Sequence, residues 1–197
     1  MNQKMVISEW YALELTPEQL NEAAGDSSKP LILKDKLLQK ANTKNHNGRI
    51  YPSEVIFREV KKYSQLVGER RALGELDHPD SPIVELKNVS HLITNIYEQG
   101  DDIRGDLEIL GTPQGQILRT IIQQGVKIGI SSRGIGSLQR EGEANIVQDD
   151  FELIAFDAVS SPSTPGAFLV ESLQYEVDKF NNLRNILHGI LKDSYFK

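Results

Sequence analysis

The chain has 197 residues, with 22 basic side chains against 28 acidic ones and a formal charge of −6. That is the size of one domain and the wrong charge for coating a polyanion, since phosphate contacts need clustered Lys and Arg. The absence of cysteine excludes a disulfide scaffold, a thiol nucleophile and thiolate metal ligation, and no apolar run nears the roughly 20 residues that span a bilayer.

In chain order, Met5 to Ala12 is rich in strand formers, and Thr16-Pro17-Glu18-Gln19 opens a short helix with a capping-box pattern. Pro30 to Leu33 reads as a strand, and Asn42 to Arg49 as a polar turn-forming loop. Pro52-Ser53-Glu54 starts a helix whose Ile56, Val60 and Tyr63 share one face. A short strand over Arg71–Leu76 runs into Asp77-His78-Pro79-Asp80-Ser81-Pro82, and Asn88–Tyr97 and Asp102–Leu110 form a hairpin about Gln99-Gly100-Asp101. Thr112-Pro113 opens another helix, with Ile117, Ile121 and Ile122 as its expected buried side and Gly125 as its end. Val126–Ser132 reads as a strand broken by Gly134-Ile135-Gly136, Ile146–Val159 as one long strand, and Asp178–Lys192 as an amphipathic helix. Strands and helices without strict alternation predict an α+β fold, a mostly antiparallel sheet or barrel surrounded by helices.

Three segments commit conformational freedom to a polar side chain. In Gly74-Glu75-Leu76-Asp77-His78-Pro79 the proline pre-sets His78 in an extended shape; its imidazole is a candidate general base, the alternative being a turn histidine bonded to a carboxylate. Around Gly129 to Ser137, strand alternation places Val126, Ile128, Ile130 and Ser132 on one face and Lys127, Gly129 and Ser131 on the other. A serine at this strand end is expected to be partly desolvated yet reachable, as a nucleophile must be; a plain Gly/Ser turn is the alternative, and a phosphate loop lacks its Gly-Lys-Ser/Thr ending. Asp157, amid Ala155, Phe156, Ala158 and Val159, is either a buried acid that orients a histidine or, the commoner fate, a solvated strand-end residue. His46, His91 and His188 rank lower, His91 as a satisfied strand residue, and no spacing asks for a metal or cofactor.

The ordered set Asn45-His46-Asn47-Gly48-Arg49-Ile50-Tyr51-Pro52, Gly74-Glu75-Leu76-Asp77-His78-Pro79, Gly129-Ile130-Ser131-Ser132-Arg133-Gly134, and Asp157 with Pro165-Gly166 resembles the prohead core proteases of T-even-type tailed phages, relatives of herpesvirus assemblin. The resemblance covers roughly residues 4–170 and implies an assemblin-like serine endopeptidase that matures viral heads. It implies Ser132 as nucleophile within Ser-x-Gly, His78 as general base and Asp157 as orienting acid. Ser131 and Glu152 stand in reserve, and Gly134 and Gly166 are guesses for the oxyanion site. Further implications are scaffold, core and capsid proteins as substrates, cleavage after Glu in Leu/Ile-x-Glu, a homo-oligomer, no cofactor, no nucleic-acid or membrane partner, and a place in host cytoplasm inside the assembling prohead. On this reading residues 1–170 are the peptidase domain, and the sequence leaves open whether the form with its C-terminal helix intact is a zymogen. Residues 171–197 are then a helical tail that self-cleavage after Glu171 would remove. The alternative is a catalytically inactive capsid-assembly or scaffold-binding module of the same fold.

Overall fold

The computed structural model describes residues 5–13, 15, 16, 19, 25, 30–77, 79 and 81–160. Among them the elements run β1 (Met5–Ala12), β2 (Leu31–Lys40), β3 (Arg49–Ile50), α1 (Ser53–Gly68), β4 (Leu73–Glu75), a 3₁₀ turn (Leu86–Asn88), β5 (Val89–Gln99), β6 (Asp102–Ile109), α2 (Pro113–Gln123), β7 (Gly129–Gly136), β8 (Leu138–Glu141), β9 (Ala144–Val147) and β10 (Glu152–Val159). The expected α+β class with mostly antiparallel pairing is what forms.

Three sheets result, in the orders β1-β7-β10, β2-β6-β5-β4 and β3-β9-β8. All pairings are antiparallel except the two-residue contact of β3 with β9. The first two sheets meet where Leu76, just past β4, forms a parallel bridge to Ala158 of β10, reinforced by the Asp77 N–H donating to the Ala158 carbonyl at 2.8 Å. At the opposite margin the Lys40 N–H of β2 donates to the Tyr11 hydroxyl of β1 at 3.1 Å. Seven strands thus surround one core.

The period-2 rule explains which side chains fill it. Along β6, Ile103, Gly105, Leu107 and Ile109 point inward in strict alternation. In β2 the alternation is reset: Asp35 takes φ +54, the register against β6 shifts between Leu33 and Lys36 and again between Leu37 and Gln39, and Gln39 ends fully buried. Helix α1 buries Val55, Ile56, Val60 and Tyr63, the face expected from its spacing. Helix α2 is capped as expected, the Thr112 hydroxyl accepting from the Gly115 N–H at 3.1 Å with Pro113 in the first turn.

Several expectations need correction. Ile117 is half exposed; Ile122 is buried and Ile121 partly buried as expected, and Leu118 completes the stripe of α2 in place of Ile117. Val126 does not begin a strand: its N–H closes the helix end by donating to the Ile121 carbonyl, and β7 starts at Gly129 and continues through Gly136. The glycines do not break β7. A Cβ on Gly134 or Gly136 would press into Phe151, so their bareness lets that ring pack over the strand. The expected long strand over Ile146–Val159 is two strands, separated by a turn in which the Asp150 carboxylate takes hydrogen bonds from the Ser137 N–H and hydroxyl.

Candidate active site

Strand β7 is the middle of its sheet, so each residue is fixed from both sides. Ser131 lies opposite Trp10 of β1 and Asp157 of β10; Ser132 lies opposite Glu9 and Phe156. Alternation then divides the polar residues between two faces: Ser131, Arg133 and Asp157 on one, Ser132 and Glu9 on the other.

The Ser132 face is an amide and hydroxyl network. Gln39 Nε2 donates to Ser132 Oγ at 3.1 Å, and Gln39 Oε1 accepts from the Tyr11 hydroxyl and the Lys40 N–H. Beside it the buried Glu9 carboxylate accepts from Asn47 Nδ2 at 2.8 Å, Arg49 Nη1 at 2.9 Å and the Tyr51 hydroxyl at 3.2 Å. Burial, and then the Glu9 charge, push the Tyr51 phenol well above its ordinary range. The segment Asn45–Pro52 thus pins β1 to the sheet; Asn45 Oδ1 folds it by accepting from the Asn47 and Arg49 N–H groups. The expectation of a reachable serine at this strand end is corrected for both members of the doublet, Ser132 being 0% and Ser131 2% exposed; what sets Ser132 apart is its partner, a carboxamide, which does not take a proton from a hydroxyl.

The Ser131 face carries charge. Arg133, Glu75 and Asp157 are each fully buried. Arg133 Nε donates to Asp157 Oδ2 at 2.7 Å and Nη2 to Oδ1 at 3.2 Å; Nη2 also pairs with Glu75 Oε2, and Nη1 reaches the Ser81 carbonyl at 2.5 Å. The Glu75 N–H donates to Asp157 Oδ1 at 3.0 Å. Asp157 is therefore buried rather than a solvated strand-end residue, with Arg133 and the Glu75 N–H among its partners. Glu152, in reserve, is exposed at the start of β10.

His78 lies outside the described residues, as do Gly166, Glu171, His188 and the segment 171–197. The chain beside His78 is nevertheless anchored. Asp77 takes φ +64 with its N–H on the Ala158 carbonyl, one residue beyond Asp157, and the Ser81 carbonyl is held by Arg133. Asp77 and Ser81 are thus both held at the end of β10 that bears Asp157. Gly134 sits within the sheet opposite Ile7 and Leu153.

His91, read as structural, is buried on β5 with Nε2 bonded to the Phe156 carbonyl at 3.0 Å and Nδ1 to Ser90 Oγ at 2.9 Å. Burial pushes its imidazole down to about 4, which keeps it neutral. The sequence reading passed over Arg133 and Glu75 as functional residues. Alternation alone puts Arg133 on the face of Ser131, and Glu75 stands in the quoted segment before His78.

A family model described as the prohead core protein serine protease matches residues 13–178. The prohead core protein protease of Enterobacteria phage T4 is 33% identical over 146 residues, covering 72% of this chain and 69% of that protein. The solved structure of the bacteriophage T4 capsid assembly protease superposes with a TM-score of 0.69 at 26% identity, over 80% of this chain and 99% of that one.

Proposed function

This chain belongs to the family of prohead core protein serine proteases, a viral maturation protease by that kinship, and we propose that it cuts peptide bonds with Ser131 as nucleophile, His78 as general base and Asp157 as orienting acid. One observation carries the choice within the serine doublet: Ser131 and Asp157 are directly opposed on neighbouring strands, on the face to which Arg133 ties the segment after His78. Residues opposed on adjacent antiparallel strands have Cβ atoms about 4.5–5.5 Å apart, a spacing into which an imidazole hydrogen-bonded to both side chains fits. Ser132 is turned to Gln39 instead.

In the proposed reaction His78 takes the Ser131 hydroxyl proton as Oγ attacks the scissile carbonyl. Asp157 holds the imidazole tautomer and stabilises the imidazolium, and His78 returns the proton to the leaving amine before water releases the acyl group. Arg133 occupies one edge of the Asp157 carboxylate and so fixes its plane. Scaffold, core and capsid proteins of the prohead are the proposed substrates, with release of residues 172–197 by a cut after Glu171 as self-processing.

The test is Ser131→Ala beside Ser132→Ala in the full chain, each co-expressed with the scaffold protein of its virus and read by intact mass. Loss of all scaffold cuts and of the self-processing step in Ser131→Ala alone is the expected result. Retained cleavage in folded Ser131→Ala, with loss in Ser132→Ala, overturns the assignment. An unchanged mass at the Glu171 site in the otherwise active protein removes the self-processing proposal.

A further inference from the structure

A buried arginine is expensive to desolvate, and a buried ion pair is often replaceable by apolar residues without loss of stability. Arg133 is 0% exposed, yet its guanidinium nitrogens serve three separate pieces of chain: β10 through Asp157, the end of β4 through Glu75, and the stretch after His78 through the Ser81 carbonyl. Glu75 extends the same construction. Its second oxygen, Oε1, accepts from the Glu85 N–H at 2.9 Å, and its own N–H donates to Asp157. Residues 75 and 85 are therefore stapled together, and the loop they enclose is the one that contains His78. Between the staple and His78, Asp77 is tied to Ala158 on one side and Ser81 to Arg133 on the other.

We infer that Arg133 is a positioning residue of the peptidase, with Glu75 as its partner: the guanidinium orients the Asp157 carboxylate and clamps the His78-bearing loop at Ser81, so that acid, base and Ser131 are held in one geometry. The inference rests on the proposed roles of Ser131, His78 and Asp157. It explains why the residue is arginine. A lysine carries the same charge but has one nitrogen, and it cannot make the bidentate contact with Asp157 while reaching Glu75 and the Ser81 carbonyl. It also explains why Glu75 is buried there, since the carboxylate bridges the guanidinium to the far end of the same loop.

A purely structural Arg133 predicts that substitutions lower the melting temperature and leave turnover per folded molecule alone. Positioning predicts a split in the kinetic constants, because a displacement of about 1 Å in a catalytic group costs on the order of 10²-fold in rate. The experiment compares wild-type protein, Arg133→Lys, Arg133→Ala, Glu75→Gln and Ser131→Ala on one peptide substrate, each well below its own melting temperature. Expected are a kcat about 10²-fold lower for Arg133→Lys with KM changed no more than about twofold, and a kcat about tenfold lower for Glu75→Gln, in which an amide N–H faces either the guanidinium or the Glu85 N–H. Addition of millimolar guanidinium to Arg133→Ala restores part of kcat, and ammonium does not. Folded Arg133→Lys with kcat close to wild type overturns the inference. If Arg133→Lys does not fold, folded Glu75→Gln with unchanged kcat overturns it just as well. Activity surviving in Ser131→Ala points to a failure of the site assignment instead, so the two failures are told apart.

Discussion

The two faces of β7 are both polar and both shut away from water, yet they solve the burial problem with different chemistry. On the Ser132 face the hydroxyl meets a carboxamide, and the Glu9 carboxylate is surrounded by an asparagine, an arginine and a tyrosine. These contacts join β1, β2 and the Asn45–Pro52 segment, so they fix strands against one another. On the Ser131 face one guanidinium and two carboxylates tie β7 and β10 to a loop that bears an imidazole. Buried polar networks rigidify when satisfied. The lesson of the comparison is that adjacent serines, identical in chemistry, are set in different surroundings by a single step of alternation.

The sharpest way to break this comparison is to remove each hydroxyl. Ser131→Ala is expected to lower kcat/KM by at least about 10³-fold, since loss of a nucleophile costs far more than loss of an ordinary hydrogen bond, while thermal melts remain close to wild type. Equal losses from both serines, measured on folded protein, would erase the distinction between the faces. The next largest effect lies at the seam where β4 meets β5 and β10. Gly74 faces the His91 ring and the Phe156 carbonyl so closely that a Cβ would fall well inside van der Waals contact of both. Gly74→Ala therefore has to push β4 away from β5 and β10, at a cost of about 3 kcal/mol or more. A chemical-denaturation midpoint near wild type for this variant would show that the seam yields more than its packing suggests.

Much of this was legible locally. The capping box at Thr16 forms, with the Thr16 N–H donating to Gln19 Oε1 and the Gln19 N–H to Thr16 Oγ1, and the hairpin turns at Gly100 with φ +63. The α1 stripe follows from spacing within a dozen residues. The opposite directions of Ser131 and Ser132 also follow from alternation alone. What alternation cannot tell is which direction faces the acid. That depends on how β10 registers against β7, with a shift between Leu153 and Ala155, and registers between segments some 25 residues apart are set by packing rather than local pattern. The same limit applies to Gly134, whose bareness is used by Phe151, brought there by the unforeseen turn before β10. Arg133 was passed over because a charged residue between a serine and a glycine reads as solvent-facing until its two acids are placed.

His91 offers a pH-dependent way to sharpen the comparison, since it lies under the seam without belonging to either polar network. Its imidazole is held at about 4 in the fold by burial, against about 6.5 when unfolded. Below 6.5 the unfolded chain takes up a proton that the folded one refuses, so the contribution is fully present above that value and lost as pH falls toward 4. The loss is on the order of 3 kcal/mol. Denaturation measured from pH 7 to 4 should show this slope in wild type and a flatter one in His91→Gln. Parallel slopes would mean that other groups govern acid stability.

The smallest effect tests the quieter face. Ser132→Ala leaves Gln39 Nε2 buried without the acceptor it has now, and an orphaned buried donor costs about 1–3 kcal/mol. The expected result is a lower denaturation midpoint with kcat/KM within about threefold of wild type. Changing both partners locates that loss. If it comes from the orphaned amide, Ser132→Ala should cost little more in a Gln39→Met background, where the apolar side chain has no donor to strand, and the double-mutant cycle should return most of the single-variant loss as coupling. Gln39 also serves Tyr11 and the Lys40 N–H, so the cycle is run in Tyr11→Phe to keep the phenol from being stranded in its turn. A near-zero coupling energy would mean that Ser132 stabilises β7 through packing alone, and the Ser132 face would then be a polar surface that happens to be covered rather than a bonded one.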